Sequence, residues 1–470
     1  MHLTFLVCSV SIGIYQGCVR SKQTSTKEFF IADGKMGILP TAMSLLASLT
    51  SAASLLGTPV DIYYYGTMFI YYILSLFIAT YLTIKFFIPK FHYIGSVSIY
   101  AYLEQRFSLT IRILVTCTYI LVTILYMSII LYGPSLALSQ VTGLNIWLVI
   151  GSCGLVCTIY TSIGGMKAVI WTDVLQALLM FIGLIMSIII GIFLFRNNIS
   201  QFFKLNKTGV IDFGGPSKVF ETVKNGNRFQ FSVIDLDPSI RYTIWSILIG
   251  MTFSSLANYA CIQTQAQRYM CVKDTKAAQK VAWINYVMHA SMQMLYVCVG
   301  CLIYAKYSQC DPLRAKLISR SDQLYPLFIM ETLGRFPGFT GLFISSILSA
   351  TLSTFSSGVN SIATVILEDV YKRISNKHSI SNKHQIFYQI FGAYAAPILG
   401  VYLLGLFSSR VKSRSVLVAF VICFIFQTVM LVGSFVTVKS VKKQGGQLPT
   451  SVAGCVPSVN ITLSLTTNQT

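Results

Sequence analysis

The sequence predicts an all-α polytopic membrane protein, and three observations support that prediction. Of its 470 residues, 54% are hydrophobic and only 11% are charged, and the mean hydropathy is +0.68. Apolar runs recur that are long enough to cross about 30 Å of hydrocarbon as helices. Several of these runs carry hydroxyl residues at their centres, which indicates helices that line a polar cavity. This composition excludes a water-soluble globular fold.

Ten apolar runs are candidates for transmembrane helices. The apolar start at residues 1–17 is short for a span and has no small-residue cleavage site, so we interpret it as part of a first helix rather than a signal peptide. We expect a transmembrane domain over residues 1–437, with about 10–11 spans, and a polar tail over 438–470. The ten runs lie near residues 38–58, 66–88, 112–138, 146–164, 170–195, 243–262, 281–305, 338–367, 387–407 and 415–437.

Basic loops alternate along the chain with polar loops that carry glycosylation sequons. The positive-inside rule places the basic loops in the cytoplasm. The loops at 196–241 and 306–337 then face outward, where Asn198 and Asn206 are predicted glycosylation sites. The basic segments are 20–35, 85–112, Lys167, 268–280 and 372–383.

The last two runs conflict with that orientation. The basic residues between Arg410 and Arg414 belong inside, yet only the run 387–407 separates them from the basic loop at 372–383. One interpretation is that a helix is missing, in which case the tail and its sequon at Asn460 face outward. The other is that 387–407 is a re-entrant hairpin.

Small and hydroxyl residues interrupt two runs at corresponding positions in the two halves of the chain. Residues 45–59 place such a centre before Gly57 and Pro59, and residues 250–263 form a second interrupted segment. Unwound backbone at membrane depth is tolerated where it lines a cavity, and its freed carbonyl groups are ligands for a cation. Two broken helices in corresponding halves indicate an inverted-repeat transporter.

The segment 342–360 carries a stripe of small and hydroxyl residues within an apolar helix. At about 100° per residue, Ala350, Ser353, Thr354 and Ser357 share one face. Uncharged oxygen ligands suit a hard monovalent cation that must bind and then leave. The alternative is that these residues only allow close helix packing or bond to their own backbone.

Four sequence elements stand out: Tyr160 to Gln176, Leu56-Gly-Thr-Pro59, Gln265-Ala-Gln-Arg-Tyr269, and Ala350-Thr-Leu-Ser-Thr with Glu368-Asp369. Together they resemble the sodium:solute symporter family, and most closely its animal branch of sodium-coupled monocarboxylate and multivitamin transporters. The resemblance extends from about residue 9 to 437. It implies an inverted repeat of two five-helix halves, in which the second half of this chain lacks one helix before Phe391.

The resemblance also implies a sodium site, and it makes sodium the expected co-transported ion. Its five oxygen ligands would be the hydroxyls of Ser353 and Thr354 and the carbonyls of Ala350, Ala47 and Thr50.

By the same similarity, Asp173 attracts sodium as it leaves towards the cytoplasm. The alternative is that Asp173 is a first-turn carboxylate that complements the helix dipole and Lys167.

For the solute, the resemblance points to small residues on the first broken helix and two residues on the second. Sugar-transporting members use amide and carboxylate side chains where this chain has Ala53, Ser54 and Ile262, which argues against a sugar. Because the amino end of a helix attracts a carboxylate, we expect a small organic anion, either a monocarboxylate or a vitamin carboxylate. The implied contact residues are Ser51, Ala53, Ser54, Gly57, Tyr259 and Gln263.

Other functional classes fit the sequence less well. No nucleophile-and-base pair is apparent, so we do not expect an enzyme. The basic residues are scattered between apolar runs, so we expect lipid, sodium and the anion as partners rather than nucleic acid. We expect a multi-pass protein of the plasma membrane, and Cys310 and Cys455, in polar segments, suggest a disulfide. Three alternatives remain: a truncated, non-transporting isoform that binds or regulates, an ion channel, and an iodide-type anion symporter.

Overall fold

Helices form all the secondary structure in the described part of the chain, as the sequence predicts. The structure is a computed structural model that describes residues 2–20, 26–142, 146–194, 215–237, 240–333, 338–371, 448 and 450–451. In chain order the helices are α1 (His2–Ile14), α2 (Thr26–Ile31), α3 (Ile38–Leu49), α4 (Ala52–Tyr65), α5 (Tyr72–Leu82), α6 (Ile88–Ile94), α7 (Ala101–Arg106), α8 (Leu109–Thr142), α9 (Ile146–Leu194), α10 (Gly215–Asn225), α11 (Thr252–Ala260), α12 (Gln263–Met270), α13 (Thr275–Tyr307), α14 (Leu324–Leu333) and α15 (Phe339–Val365).

Within these ranges, five helical segments are long and apolar enough to cross a membrane, and the bent pair α3 and α4 makes a sixth. The predicted runs 146–164 and 170–195 are one helical element broken at Gly165, whose φ of 54° and ψ of −153° are non-helical. The runs 387–407 and 415–437 and the position of the missing helix lie outside the described residues. The five segments are Thr67–Ile94, Leu109–Ser128, Val149–Ile192, Thr275–Tyr307 and Phe339–Asp369.

Helix α15 lies at the centre of the bundle, packed against α3, α8 and α9. In its most apolar 18-residue window, 78% of the residues are buried, against 39–50% in the other four spanning segments. Small residues allow this, because their short side chains let neighbouring backbones approach closely. The hydroxyl stripe on α15 therefore faces other helices of the protein rather than lipid.

Three residues of the tail lie against the side of the molecule that the sequence places outside. The Leu448 N–H donates to the Tyr64 carbonyl at 2.9 Å, at the end of α4. The Asp311 N–H donates to the Ser451 carbonyl at 2.8 Å, and Arg314 bonds the Thr450 carbonyl. We call Leu448, Thr450 and Ser451 the tail strap. Its position favours an outward-facing tail, which both interpretations of the run 387–407 give and which ten full spans would not.

Cys310, next to the strap, is disulfide-bonded. Nine other cysteines of the described residues are free. Cys455, the partner that the sequence suggests for Cys310, lies outside the described residues.

A buried ion pair joins α8 and α15 at the predicted cytoplasmic side. The Arg112 guanidinium pairs with Asp369, just beyond α15, and with Glu104 of α7. The second carboxylate oxygen of Asp369 accepts hydrogen bonds from Ser98 and Thr116, each at 2.8 Å. Arg112 is thus part of the packed end of the bundle rather than of a solvated basic loop.

Candidate sodium and solute site

The first broken helix is interrupted at Thr50 and Ser51, where α3 ends and α4 begins at an angle of 64°. Both residues have extended backbone, with φ of −93° at Thr50 and −85° at Ser51. The Ser51 hydroxyl caps α4 by accepting a hydrogen bond from the Ser54 N–H at 3.3 Å. The break that the sequence predicts is therefore confirmed, but it lies several residues before Gly57 and Pro59, which are inside α4.

The second broken helix is interrupted at Cys261 and Ile262, between α11 and α12. Ile262 has extended backbone, with φ of −99° and ψ of 126°, and α12 begins at Gln263. At each break the helix loses its intrahelical partners for the last carbonyls and the first N–H groups. The two breaks therefore supply polar backbone groups inside an otherwise apolar bundle.

The hydroxyl stripe of α15 meets the carboxyl end of α3. The Ser353 hydroxyl lies 2.8 Å from the Ala47 carbonyl and 3.2 Å from the Ala350 carbonyl. The Thr354 hydroxyl lies 3.1 Å from the Ala350 carbonyl, a bond within its own helix of the kind that the alternative interpretation predicts. The Ala47 contact is different because it crosses to another helix and uses one of the carbonyls that the end of α3 leaves without an intrahelical partner.

Thr50, the remaining predicted sodium ligand, follows the last residue of α3. Its hydroxyl is buried and has no hydrogen-bond partner among the described residues. The structure thus joins Ser353 to Ala47 and Ala350, with Thr354 bonded to Ala350 on the same helix and Thr50 at the adjacent break.

A cavity of about 250 Å³ lies between the two broken helices, α8, α13 and α15. Thr50, Thr354 and Gly358 form one wall, and Tyr259, His289 and Gln293 line another part. Among the described residues that line it, none is Asp, Glu, Lys or Arg. A solute would therefore be held by hydroxyl, amide, imidazole and aromatic groups rather than by a formal charge.

Two of the six predicted solute contacts, Ser54 and Tyr259, line this cavity. Ser51 is buried, and its hydroxyl lies 3.1 Å from the Ser54 hydroxyl, so it supports the wall from behind. Ala53 is exposed and does not line the cavity. Gly57 is also absent from the lining, and a Cβ atom added there would meet nothing within 4 Å.

Gln263 does not reach the cavity, although the resemblance implies a solute contact there. Its amide nitrogen donates to the Val97 carbonyl at 2.7 Å, and its amide oxygen accepts from the Ile99 N–H at 3.0 Å. The side chain is fully buried in these contacts. Its role in the structure is to hold the loop after α6.

Asp173 is fully buried within α9 and pairs with Arg268 of α12 at 2.9 Å. One of its oxygens also accepts from the Ser44 hydroxyl at 2.5 Å, while Oδ1 has no hydrogen-bond partner among the described residues. Lys167 instead pairs with Glu28 at 2.6 Å. The alternative interpretation, in which Asp173 complements Lys167, is therefore wrong, because the partner of Asp173 is a buried arginine from the segment that the sequence assigned to a cytoplasmic loop.

Sequence reasoning missed the polar wall formed by His289 and Gln293, since a lone histidine in an apolar helix is usually a core residue. The signal that was available is their spacing of four residues, which puts both side chains on one face of α13. It also missed the 2.9 Å bond from the Ser48 hydroxyl to the Gln265 amide oxygen, which joins the two broken helices beside the cavity.

Two broken helices around one cavity, next to a hydroxyl-bearing central helix, define an inverted-repeat transporter. The model of the sodium:solute symporter family matches residues 29–389, and the chain belongs to that family. Members of this family are sodium-coupled transporters rather than enzymes, so the family implies sodium as the co-transported ion.

The similar proteins agree with this assignment. Sodium-coupled monocarboxylate transporter 2 of Mus musculus is 33% identical, covering 98% of this chain and 75% of the relative. The sodium/iodide cotransporter of Homo sapiens is 37% identical, covering 78% and 54%. The putative sodium-dependent multivitamin transporter of Drosophila melanogaster is 33% identical, covering 89% and 72%. The chain thus spans between about half and three quarters of the length of these relatives.

A solved structure of a Na+-coupled sialic acid symporter in a substrate-bound outward-open state has the same fold. It superposes with a TM-score of 0.72 over 88% of each chain, at 24% sequence identity. At this identity the likeness shows the fold alone.

Proposed function

We propose that this chain couples the inward movement of sodium to the uptake of a small organic anion, a monocarboxylate or a vitamin carboxylate, across the plasma membrane. Ala47, Thr50, Ala350, Ser353 and Thr354 bind the sodium ion. Asp173 receives it on the way to the cytoplasm through Oδ1, the carboxylate oxygen that Arg268 leaves without a partner.

The observation that supports this proposal most directly is a wall shared by the two sites. Thr50 and Thr354 belong to the proposed sodium ligands, and both also line the cavity. An ion bound between α3 and α15 would fix the positions of these two residues before the solute arrives. Sodium binding would then favour solute binding by the same factor as the solute favours sodium, which is the reciprocity that coupled transport requires.

The chemistry of the cavity favours an anion of modest size. Many hydroxyl groups line it, and the amino end of α4, which begins at Ala52 and carries partial positive charge, reaches it at Ser54. Similar proteins bear the names of monocarboxylate, multivitamin and iodide transporters, and monocarboxylates and iodide are anions. A carboxylate uses several donors at once, whereas iodide needs only a small polarisable pocket, so a solute panel separates these two possibilities.

Tracer uptake in cells with confirmed surface expression of this chain tests the proposal. Lactate, butyrate, nicotinate, biotin, pantothenate and iodide form the panel, and choline replaces sodium in the control medium. Saturable uptake of a carboxylate that disappears in choline is the expected result. Uptake of iodide alone would support the iodide-type alternative, and current without saturable uptake would support a channel. Absence of any sodium-dependent flux at the surface would contradict transport by this chain and favour a binding or regulatory isoform.

The double variant Ser353→Ala and Thr354→Ala tests the sodium site itself. We expect it to reach the surface and to lose sodium-dependent uptake, because two of the five proposed ligands are removed while the helix is kept. Ser345→Ala is the matched control, since its hydroxyl bonds only to the Gly341 carbonyl of the same helix. Unchanged sodium activation in the double variant would contradict the site.

A further inference from the structure

Three polar side chains form one wall of the cavity. None of the described residues that line the cavity carries a charge. Tyr259, His289 and Gln293 are buried, with exposures of 1%, 7% and 6%. All three line the cavity. Tyr259 lies in the last turn of α11, immediately before the second break, whereas His289 and Gln293 lie one turn apart on α13. Helix α13 thus places the His289 imidazole against Tyr259, beside the break between α11 and α12.

The hydrogen bonds within this group define where its protons lie. The Gln293 amide nitrogen is 3.4 Å from His289 Nε2, and the Tyr259 hydroxyl is 3.0 Å from His289 Nδ1. In the amide orientation of this structure the Gln293 nitrogen faces Nε2 and donates to it, so Nε2 accepts. A neutral imidazole then carries its hydrogen on Nδ1, which donates to the Tyr259 oxygen.

This arrangement leaves the hydrogen of the Tyr259 hydroxyl to another acceptor. A phenol that accepts from Nδ1 cannot donate back to the same atom, so its own O–H turns away from His289. The cavity lies beside it, and a carboxylate there would be the strongest available acceptor, because hydrogen bonds to charged groups are about twice as strong as neutral ones. Keeping His289 neutral also avoids the cost of burying an unpaired cation beside the second helix break.

We propose that His289 and Gln293 are positioning residues that hold the Tyr259 hydroxyl as a donor to an anionic oxygen of the solute. This inference rests on the proposed function, since it requires a carboxylate solute in this cavity. It gives the second broken helix a defined part in substrate recognition: Tyr259 makes the contact, and α13 sets its direction.

Kinetics of sodium-dependent butyrate uptake by the full chain at saturating sodium test the inference. Tyr259→Phe removes the donor, and we expect KM to rise about 10- to 100-fold while the maximal rate at saturating butyrate changes little. His289→Leu frees the Tyr259 hydroxyl to turn, and we expect a rise in KM of about the same size as in Tyr259→Phe.

The rescue variant is His289→Asn, which places an amide N–H near the position of Nδ1, and we expect its KM to stay near the wild-type value. A role in packing alone would make His289→Asn as damaging as His289→Leu. Ser291→Ala is the matched control on α13, because Ser291 is exposed and bonds only to the Val287 carbonyl.

The outcomes separate this inference from the proposed function. Wild-type butyrate uptake with an unchanged KM in Tyr259→Phe, or equal KM values in the leucine and asparagine variants of His289, overturns the positioning role and leaves symport standing. If surface-expressed wild-type protein takes up no carboxylate, both proposals are overturned.

Discussion

At the scale of single residues, the most consequential contact is the fully buried ion pair between Asp173 and Arg268. Arg268 also donates to the Ser44 hydroxyl at 2.8 Å, to the Thr264 carbonyl at 2.7 Å and to the Ser357 hydroxyl at 2.5 Å. Such additional hydrogen bonds make a buried ion pair more tolerable, and they satisfy Arg268, while Oδ1 of Asp173 has no partner among the described residues. The pair therefore fixes α12 to α9 and to the hydroxyl face of α15.

Removal of one partner from this pair should cost much more than removal of both. We expect Arg268→Leu to destabilise the protein by about 3–5 kcal/mol, because it leaves the Asp173 carboxylate buried without its cationic partner. The double variant Asp173→Asn with Arg268→Leu should recover part of that loss. Thermal unfolding in detergent measures both, and Lys167→Ala is the control, since its pair with Glu28 is partly exposed and should contribute less than about 1 kcal/mol. Equal effects of Arg268→Leu and Lys167→Ala would contradict this account.

How much of the site is predictable also depends on the residue considered. The stripe of Ala350, Ser353 and Thr354 follows from helical periodicity, but its contact with Ala47 does not, because 306 positions separate Ala47 from Ser353. Only the family resemblance joined them. The direction of Gln263 was not predictable, because it depends on the exact position of the break one residue earlier. His289 was misjudged for a similar reason, since periodicity identifies the buried face of a helix but not a cavity within it.

At the scale of elements, the spans were largely predictable, whereas the location of the breaks was not. Apolar length identifies α8, α13 and α15 directly. Gly57 and Pro59 suggested the first break, yet α4 continues through both of them. The chain breaks instead where Ser51 caps the new helix, and a cap needs only a hydroxyl and a free N–H three residues later. Serine and threonine are too common in this region for that position to stand out.

The loop after α6 is held by Gln263, the first residue of α12. Gln263→Leu would remove the side-chain partner that Gln263 gives to the Val97 carbonyl and the one that it gives to the Ile99 N–H. Loss of a buried hydrogen bond of this kind costs about 1–3 kcal/mol where nothing replaces it. We expect faster hydrogen exchange at the Ile99 amide and lower thermal stability. Gln279→Leu is the control, because Gln279 makes one longer bond, 3.3 Å to the Ile84 carbonyl, at a partly buried position. Unchanged exchange at Ile99 in the Gln263 variant would show that the loop is held by other contacts.

At the scale of the whole molecule, the tail strap gives a test of membrane topology. Leu448 and Ser451 bond to residues at the predicted outer side, and the few residues between Ser451 and Asn460 are too short to cross a membrane. We therefore expect Asn460, in Asn-Ile-Thr, to be glycosylated. The measurement is the gel mobility of a chain that carries Asn198→Gln and Asn206→Gln, with and without glycosidase.

Two outcomes distinguish the possible orientations of the tail. A glycan that remains in that background and is reduced or lost in Asn460→Gln would place the tail outside. If glycosidase leaves the mobility of the background chain unchanged, the outward orientation of the strap would be contradicted. Asn468→Gln, at the second sequon of the tail, separates the contributions of the two sites.

The hydrogen bonds from Gln263 to the loop after α6 limit how the helices of the bundle can move relative to one another. Ser98 of that loop donates to Asp369, which lies at the end of the spanning segment that carries Ser353 and Thr354. Ser353 in turn donates to the Ala47 carbonyl on the first broken helix. Ser48, the next residue, bonds Gln265 of α12, which completes a closed ring of contacts that starts and ends beside Gln263. Because these contacts form a closed ring, a rotation of α12 either breaks one of these bonds or moves α15, the proposed sodium-binding helix, with it. The proposed sodium and solute sites would thus be coupled through this ring of hydrogen bonds as well as through the wall that they share.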